Sequence, residues 1–434
     1  MPRLSSLIMK ALTAAGAAVV GPLGTWITND ALAHTMSTPS TYAPAQGDFT
    51  AGYSNMAVDG GYGVVGCYTE DSAAGGESGA VHIFNMSTGS LYRSVVNPNT
   101  STGQQDLFGQ SVDYDHSYGR VIIGAPGTDI GGVYTSGKVY LYSPGTNSII
   151  KTTNNPTSTN DAFGQAVAID GNWMAVAASN ARTPAGESSG GLIYLYNGSN
   201  MAYQRTIQNP NHYGGAANAR DQLSRIMKMS NGRLIVSGFQ EDDASGTNSG
   251  VVYVFNLNGA LLNTYVNPNP YSTGAGDSFG YSLDVYQDTM IVGAPYEDQP
   301  AEGDDTGINT GRAYIYNLST GTLTHTLVNP NHYGAAVNDN FGKRVSIAES
   351  KVFVSATGED DATGNNVGIV YAFDAVTGDH VGTLENPNDF GTTDGDSFGT
   401  SIASDGDHLL AAATGEDSAS LTNVQRFYIF DLPE

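Results

Sequence analysis

The sequence is poor in cysteine and in positive charge. Cys67 is its only cysteine, so no disulfide can form within the chain, and neither an oxidising nor a reducing compartment is favoured. Lys and Arg number 17 against 42 Asp and Glu, which gives a formal net charge of -25. A surface of that charge repels the phosphates of nucleic acids and anionic membranes. We therefore expect no nucleic acid partner.

Long apolar runs and catalytic motifs are also missing. Beyond the N-terminal segment, nothing approaches the ~20 apolar residues of a membrane span. The eight histidines form no H-E-x-x-H, and no G-x-S-x-G is found. The sequence GYGVVG at Gly61 matches G-x-G-x-x-G, but it is typical of a strand and no helix follows. We expect no membrane span, no required cofactor and no enzymatic activity.

Glycine, tyrosine and aliphatic residues are abundant instead. The 434 residues include 55 Gly and 25 Tyr, and 40% of the chain is hydrophobic while 14% is charged. This composition favours a loop-rich, folded β protein over a disordered chain.

The N-terminal segment, residues 1–34, differs from the rest. Arg3 and Lys10 precede a stretch of small apolar residues, and Ala31-Leu32-Ala33 resembles a cleavage site before His34. The segment is interpreted as a secretory signal peptide or as a retained docking arm for an assembly partner. Residues 35–434 are assigned to one repeat domain.

The domain repeats the anchor D-x-F-G followed by short apolar runs. Successive Asp residues lie 55, 60, 56, 62 and 57 positions apart, and a degenerate first copy begins near Gly47. The anchors start at Asp106, Asp161, Asp221 (degenerate, DQLS), Asp277, Asp339 and Asp396.

Each complete copy contains four runs that read as β-strands. The third run occurs seven times, for example VYLY at Val139 and FYIF at Phe427, and its β-branched and aromatic residues are typical of strands. The fourth run occurs six times and ends in Asn-Pro, since proline cannot continue a β-ladder. The pattern predicts an all-β fold, a seven-bladed β-propeller of four-stranded antiparallel blades.

The last copy lacks its fourth strand, because the chain stops soon after the third. An exposed inner edge would promote aggregation. We expect an N-terminal strand, placed within residues 35–46, to close the ring.

The combination of D-x-F-G, hydrophobic-VGAP and G-x-h-Y-h-F, where h is hydrophobic, resembles the FG-GAP repeats of integrin α-subunits and of bacterial surface proteins. The likeness covers about residues 47–434 and implies a seven-bladed propeller. In the repeat itself, Asp can cap a turn, Phe can fill the gap between blades and Gly permits a positive φ. We therefore interpret the repeated phrase as architecture and expect function in the loops that differ between copies.

Integrin-type repeats imply Ca²⁺ in a D-x-D-x-D-G loop, but the matching turns here carry one or two carboxylates, whereas Ca²⁺ takes six to eight oxygens. Asp113 and Asp115 alternate as ligands would, and a second acidic set follows the second strand of several copies. Ca²⁺ is therefore an optional ligand, and its candidate residues are Asp113, Asp115, Asp242, Asp243, Asp360 and Asp361.

Aromatic residues recur shortly after the Asn-Pro step of several copies. Such rings can stack on sugars or anchor a protein, or they can fold down on their own blade. The candidates for partner binding are Tyr213, Tyr271, Tyr333 and Phe390.

These observations favour a non-catalytic adhesion or recognition module that is extracellular or on a cell surface and binds a protein or glycan through its loop rims. A virion component, such as a phage tail or spike protein docked by its N-terminal arm, is an alternative. A propeller hydrolase or lyase would need carboxylate, His or Tyr side chains converging at one mouth of the channel.

Overall fold

The computed structural model describes residues 27–37, 55–71, 76–99, 105–157, 159–182, 190–210, 223–242, 247–268, 274–298, 308–330, 337–360, 364–388, 393–417 and 425–433. These residues form 28 β-strands in seven four-stranded antiparallel sheets, together with one short 3-10 helix, η1 (Asn29–Ala31). The predicted seven-bladed propeller is confirmed. Within the same residues, no helix is long and apolar enough to cross a membrane.

Blades 1 to 6 each use four consecutive strands, ordered from the central channel outward. Blade 1 comprises β2 (Met56–Asp59), β3 (Tyr62–Cys67), β4 (Ala80–Asn85) and β5 (Leu91–Val96). Blade 2 comprises β6 (Ser111–Asp115), β7 (Arg120–Ala125), β8 (Lys138–Ser143) and β9 (Ser148–Asn154). Blade 3 comprises β10 (Phe163–Asp170), β11 (Trp173–Ala178), β12 (Leu192–Asn197) and β13 (Tyr203–Gln208). Blade 4 comprises β14 (Met227–Ser230), β15 (Arg233–Gly238), β16 (Val251–Asn256) and β17 (Leu261–Val266). Blade 5 comprises β18 (Ser282–Tyr286), β19 (Thr289–Ala294), β20 (Arg312–Asn317) and β21 (Thr322–Val328). Blade 6 comprises β22 (Phe341–Ala348), β23 (Lys351–Ala356), β24 (Ile369–Asp374) and β25 (His380–Glu385).

Blade 7 combines the two ends of the chain. Its strands are β26 (Phe398–Ser404), β27 (His408–Ala413), β28 (Arg426–Asp431) and, outermost, β1 (Leu32–Ser37). β1 pairs antiparallel with β28, from Leu32 opposite Phe430 to Ser37 opposite Arg426. Closure by an N-terminal strand is therefore confirmed.

The closing strand begins three residues earlier than the range 35–46 that the sequence suggested. Thr35 pairs with Tyr428, as the threonines of other outer strands pair with the tyrosines of their third strands. That register brings Leu32 and Ala33, which the sequence pattern had assigned to a cleavage site, into β1. The boundary between residues 34 and 35 lies inside a strand, and residues 38–46 lie outside the described residues.

Residues before β1 also contact the outside of blade 6. Ile27 is fully buried and forms a parallel bridge with Gly382 of β25. The Thr383 amide donates to the Ile27 carbonyl (3.1 Å), and the Glu385 amide donates to Asn29 Oδ1 (3.0 Å). A Cβ on Gly382 would lie 2.3 Å from the Ile27 oxygen, so only glycine leaves room for this segment.

The hydrophobic core is divided among the gaps between blades. Seven buried clusters are found in the described residues, and each joins the side chains of two neighbouring blades, including blades 7 and 1. Both faces of every sheet are thus covered, which explains why the strands read as nearly continuous apolar runs.

Candidate functional site

The D-x-F-G phrase connects each blade to the one before it. In blade 6, Phe341 is fully buried, and its ring meets those of Tyr371 and Phe373 at 6.0 and 5.9 Å. Its amide donates to the Thr310 carbonyl of blade 5 (3.0 Å), and Gly342 has φ +92°. The expected roles of Phe and Gly in this phrase are confirmed.

The Asp of the phrase is joined to the Asn of the preceding Asn-Pro step. In each case an Asn side-chain amide donates to an Asp Oδ2, and this bond closes the connection between two blades. The pairs are Asn97 and Asp106 (2.7 Å), Asn155 and Asp161 (3.3 Å), Asn267 and Asp277 (2.7 Å), Asn329 and Asp339 (2.7 Å), and Asn386 and Asp396 (2.8 Å).

Comparison with known proteins agrees with this framework. The family model described as the FG-GAP repeat matches residues 101–142, 149–196 and 271–316. Three FG-GAP repeats thus lie within this seven-bladed propeller. No curated protein matches it significantly.

Two solved structures resemble this propeller in fold. The Neurospora crassa Pan2 WD40 domain is 11% identical with a TM-score of 0.53, and the alignment covers 93% of this chain and 95% of that one. A chain of the mitotic checkpoint complex is also 11% identical with a TM-score of 0.53, and the coverage is 97% and 96%. At this identity the likeness extends to the fold alone.

The propeller encloses a polar central channel. Its cavity of about 390 Å³ is lined by the innermost strands of all seven blades. Lys228 lies inside it, with Nζ 3.4 Å from Asp284 Oδ1. Burial lowers the pKa of Lys228, but Asp284 and Asp113 outweigh it and hold this pKa above its usual value. Burial raises the pKa of Asp113 to about 6, although the Lys228 charge opposes the shift.

Carboxylates in the channel, and Asp115 beside it, also connect neighbouring blades. Asp113 Oδ2 accepts the Ile169 amide of blade 3 (2.8 Å), and Asp115 Oδ2 accepts the Gly171 amide (2.6 Å). Asp284 Oδ2 accepts the Ile347 amide of blade 6 (3.0 Å). The carboxylates at the predicted Ca²⁺ positions 113 and 115 therefore have a role in holding the ring, and Ca²⁺ binding there stays a prediction.

The acidic loops after the second strands have a shared internal bond. Asp242 Oδ1 accepts the Asn248 amide (2.9 Å), and Asp360 Oδ1 accepts the Asn366 amide (2.9 Å). Asp71 and Asp129 make the same bond to the sixth residue after them, also at 2.9 Å. These aspartates hold their own loops in shape. Asp243 and Asp361, the other two candidates of this set, lie outside the described residues.

The glutamate that precedes the aspartate in several of these loops is a functional residue that the sequence pattern did not predict. Glu241, Glu297 and Glu416 are buried, and each accepts a hydrogen bond from the third-strand tyrosine of its blade, Tyr253, Tyr314 (2.6 Å) and Tyr428 respectively. Burial raises the pKa of Glu297 to about 7, against the opposing effects of Tyr314 and Arg312. The sequence does contain a signal for this contact, because Glu-Asp after the second strand recurs together with h-Y-h-F in the third strand. The two motifs are separated by a long loop, so neither one alone indicates that the glutamate meets the tyrosine.

A pH-dependent stability follows from the carboxylates at the start of blade 6. Burial, and next the neighbouring Glu359 and Asp360, raise the pKa of Asp339 to about 8, and the Asn329 amide spans both Asp339 and Glu359. Between about pH 4 and 8 the unfolded state releases this proton while the folded state retains it. The folded protein therefore becomes less stable as pH rises through that window, by at most about 1.4 kcal/mol per pH unit.

Asp339→Asn should reduce this pH dependence and stabilise the protein at pH 8 relative to wild type. Urea denaturation at pH 5 and at pH 8 measures the effect. Glu359→Gln, which removes the facing charge, should also reduce the slope. Identical slopes in wild type and both variants would contradict the assignment.

The four predicted rim aromatics, Tyr213, Tyr271, Tyr333 and Phe390, lie outside the described residues. Other exposed apolar side chains are found in the described parts of the connections between second and third strands. Tyr134, in the connection between β7 and β8, is 76% exposed, and Ile308, in the connection between β19 and β20, is 48% exposed.

Proposed function

We propose that this FG-GAP propeller is a non-catalytic recognition module that acts outside the cell and binds a protein or a glycan. The supporting observation is the difference between its two faces. One face, here called the long-loop face, carries the connections from second to third strands and from each blade to the next. The opposite, short-turn face carries the connections from first to second and from third to fourth strands.

The connections on the two faces differ in length and in how much they vary between blades. On the short-turn face of blade 5, residues 287–288 join β18 to β19, whereas residues 295–311 on the long-loop face join β19 to β20. Five of the connections between blades are closed by the Asn-to-Asp hydrogen bonds described above. A rigid frame that presents long, dissimilar loops on one side is the arrangement by which scaffolds commonly carry binding sites.

The chemistry of the described residues also supports binding over catalysis. In the channel, Lys228 lies beside carboxylates that accept hydrogen bonds from backbone amides of the next blade, so these charged side chains stabilise the ring. The net charge of -25 favours a partner with a basic or neutral surface, and such association weakens as salt is added. The virion and hydrolase alternatives stay predictions.

A pair of equally exposed residues on opposite faces tests the proposal. Tyr134 on the long-loop face is 76% exposed, and Val376 on the short-turn face is 75% exposed. Labelled wild-type protein should bind specific members of a panel of glycans and purified cell-surface proteins. Tyr134→Ala should weaken that binding about tenfold, since tyrosine is a frequent anchor of interfaces, while Val376→Ala should leave it unchanged.

Surface plasmon resonance on the bound panel member gives the two dissociation constants. A loss of affinity in Val376→Ala alone would place binding on the short-turn face and contradict the proposal. Unchanged affinity in both variants would exclude the blade 2 loop as the contact. A panel that gives no saturable binding to wild type would contradict recognition of these two classes.

A further inference from the structure

Blade 1 departs from the other six blades around its buried glutamate, Glu70. The last residue of β3 is Cys67, where the other second strands end in small residues: Ala125, Ala178, Gly238, Ala294, Ala356 and Ala413. His82 of β4 stands where the other third strands have tyrosine: Tyr140, Tyr194, Tyr253, Tyr314, Tyr371 and Tyr428.

A third position changes with these two. Ser94 of β5 pairs with His82, and the corresponding outer-strand residues of the other blades are all threonine: Thr35, Thr152, Thr206, Thr264, Thr326 and Thr383. The three replacements surround one glutamate in one blade. Elsewhere in the ring, Glu241, Glu297 and Glu416 at the same position accept a hydrogen bond from a tyrosine hydroxyl, and Glu297 also pairs with Arg312 (3.1 Å).

The replaced side chains bring three kinds of metal ligand together. His82 Nε2 lies 2.8 Å from Glu70 Oε2, and the ligand atoms of Cys67, Glu70 and His82 all lie within 4.8 Å of one another. All three residues are buried, with 2%, 3% and 2% of their surfaces exposed. His82 Nδ1 lies 2.8 Å from Ser94 Oγ, so its second ring nitrogen also has a partner.

This arrangement fits a transition-metal ion. Thiolate, imidazole and carboxylate bind Zn²⁺ at about 2.0–2.3 Å, which places tetrahedral ligand atoms about 3.3–3.8 Å apart. The ion would therefore separate His82 Nε2 from Glu70 Oε2, now 2.8 Å apart, by about 0.5 Å and would draw in ligand atoms that lie up to 4.8 Å apart. A metal-bound histidine commonly bonds a polar group through its other nitrogen, as His82 does with Ser94. If His82 merely replaced a tyrosine, its hydrogen bond to Glu70 would be enough to satisfy the buried glutamate. That replacement alone would not explain why a thiol lies beside the pair.

We propose that Cys67, Glu70 and His82 bind one borderline-soft divalent ion, best matched by Zn²⁺, in the core of blade 1. The ion links the end of β3, the following loop and β4. Binding displaces the thiol proton of Cys67 to solvent and involves no redox change. The ion has a structural role in blade 1, one of the two blades whose D-x-F-G opening is degenerate.

The propeller itself supplies the control variant. Cys67→Ala, His82→Tyr and Ser94→Thr together give blade 1 the residues of most other blades, so this triple variant should fold. Both proteins are equilibrated with Zn²⁺, dialysed and analysed for zinc by elemental analysis. Wild type should retain one equivalent and the triple variant none. Substitution with Co²⁺ should give a thiolate-to-metal absorption band in wild type that Cys67→Ala abolishes.

Thermal unfolding gives an independent readout on the wild-type chain. At a Zn²⁺ concentration 100 times Kd, the ratio of folded to unfolded protein should rise about a hundredfold, and a chelator should reverse the change. Equal zinc content in wild type and the triple variant would overturn the proposal, as would Co²⁺ binding without a thiolate band. If the triple variant fails to fold, an unchanged melting temperature of wild type with zinc and with chelator would also overturn it.

Discussion

A chain that starts at His34 unfolds at a much lower urea concentration than a chain that starts at Thr25. The shorter chain lacks Ile27, which belongs to the core cluster between blades 6 and 7, and Leu32, which packs against that cluster. Loss of a buried aliphatic side chain alone costs about 2–5 kcal/mol, and the broken pairing of Leu32 with Phe430 adds to it. Urea midpoints of the two chains measure the difference.

Two substitutions separate the contribution of Ile27 from that of β1. Ile27→Ala should cost about 2–5 kcal/mol while the strand stays paired. Gly382→Arg carries the residue that blades 1 and 3 have at this position, Arg93 and Arg205, and it should displace the segment because its Cβ would overlap the Ile27 oxygen. Equal stability of the chains that start at Thr25 and His34 would show that residues 27–33 do not hold the ring.

The same geometry bears on processing of the N-terminus. A cut between Ala33 and His34, at the site that the sequence pattern suggested, would divide β1 and remove Ile27 from the propeller. If a signal peptide is removed, we propose that the cut falls before Ile27.

Phe341→Ala, in the D-x-F-G phrase of blade 6, should strongly destabilise the protein. The Phe341 ring is fully buried in the cluster that joins blades 5 and 6 and contacts two other rings. Truncation of a buried phenylalanine costs about 3–5 kcal/mol, because the rigid blades cannot collapse into the cavity. The free energy of unfolding from urea titration measures the loss.

The degenerate fourth copy provides the matched control. Leu223 occupies the phenylalanine position of blade 4 and is also fully buried. Phe341→Leu should therefore cost only about 1–2 kcal/mol. If the alanine and leucine variants lose the same stability, the aromatic ring is not what fills the space between blades 5 and 6.

The sequence by itself determined the architecture of this protein. Strand-forming runs recur at nearly constant spacing, Asn-Pro ends the outer strands, and the missing fourth strand of the last copy requires a donor from elsewhere in the chain. These signals are local and repeated, and each copy meets nearly the same surroundings. Periodicity therefore carried the information, and it fixed the roles of Phe and Gly in the repeated phrase.

Only the tertiary structure decided which departures from the repeat meet in space. Nothing in the sequence distinguishes Gly382 from the other glycines. In the structure, Ile27, 355 positions away in sequence, occupies the space that the missing side chain of Gly382 leaves. Lys228 comes together with Asp113 and Asp284 because three different blades face one channel. Cys67, Glu70 and His82 meet because antiparallel pairing within blade 1 places the end of one strand beside the next. Such contacts depend on strand register and ring closure, and no local pattern in the sequence specifies them.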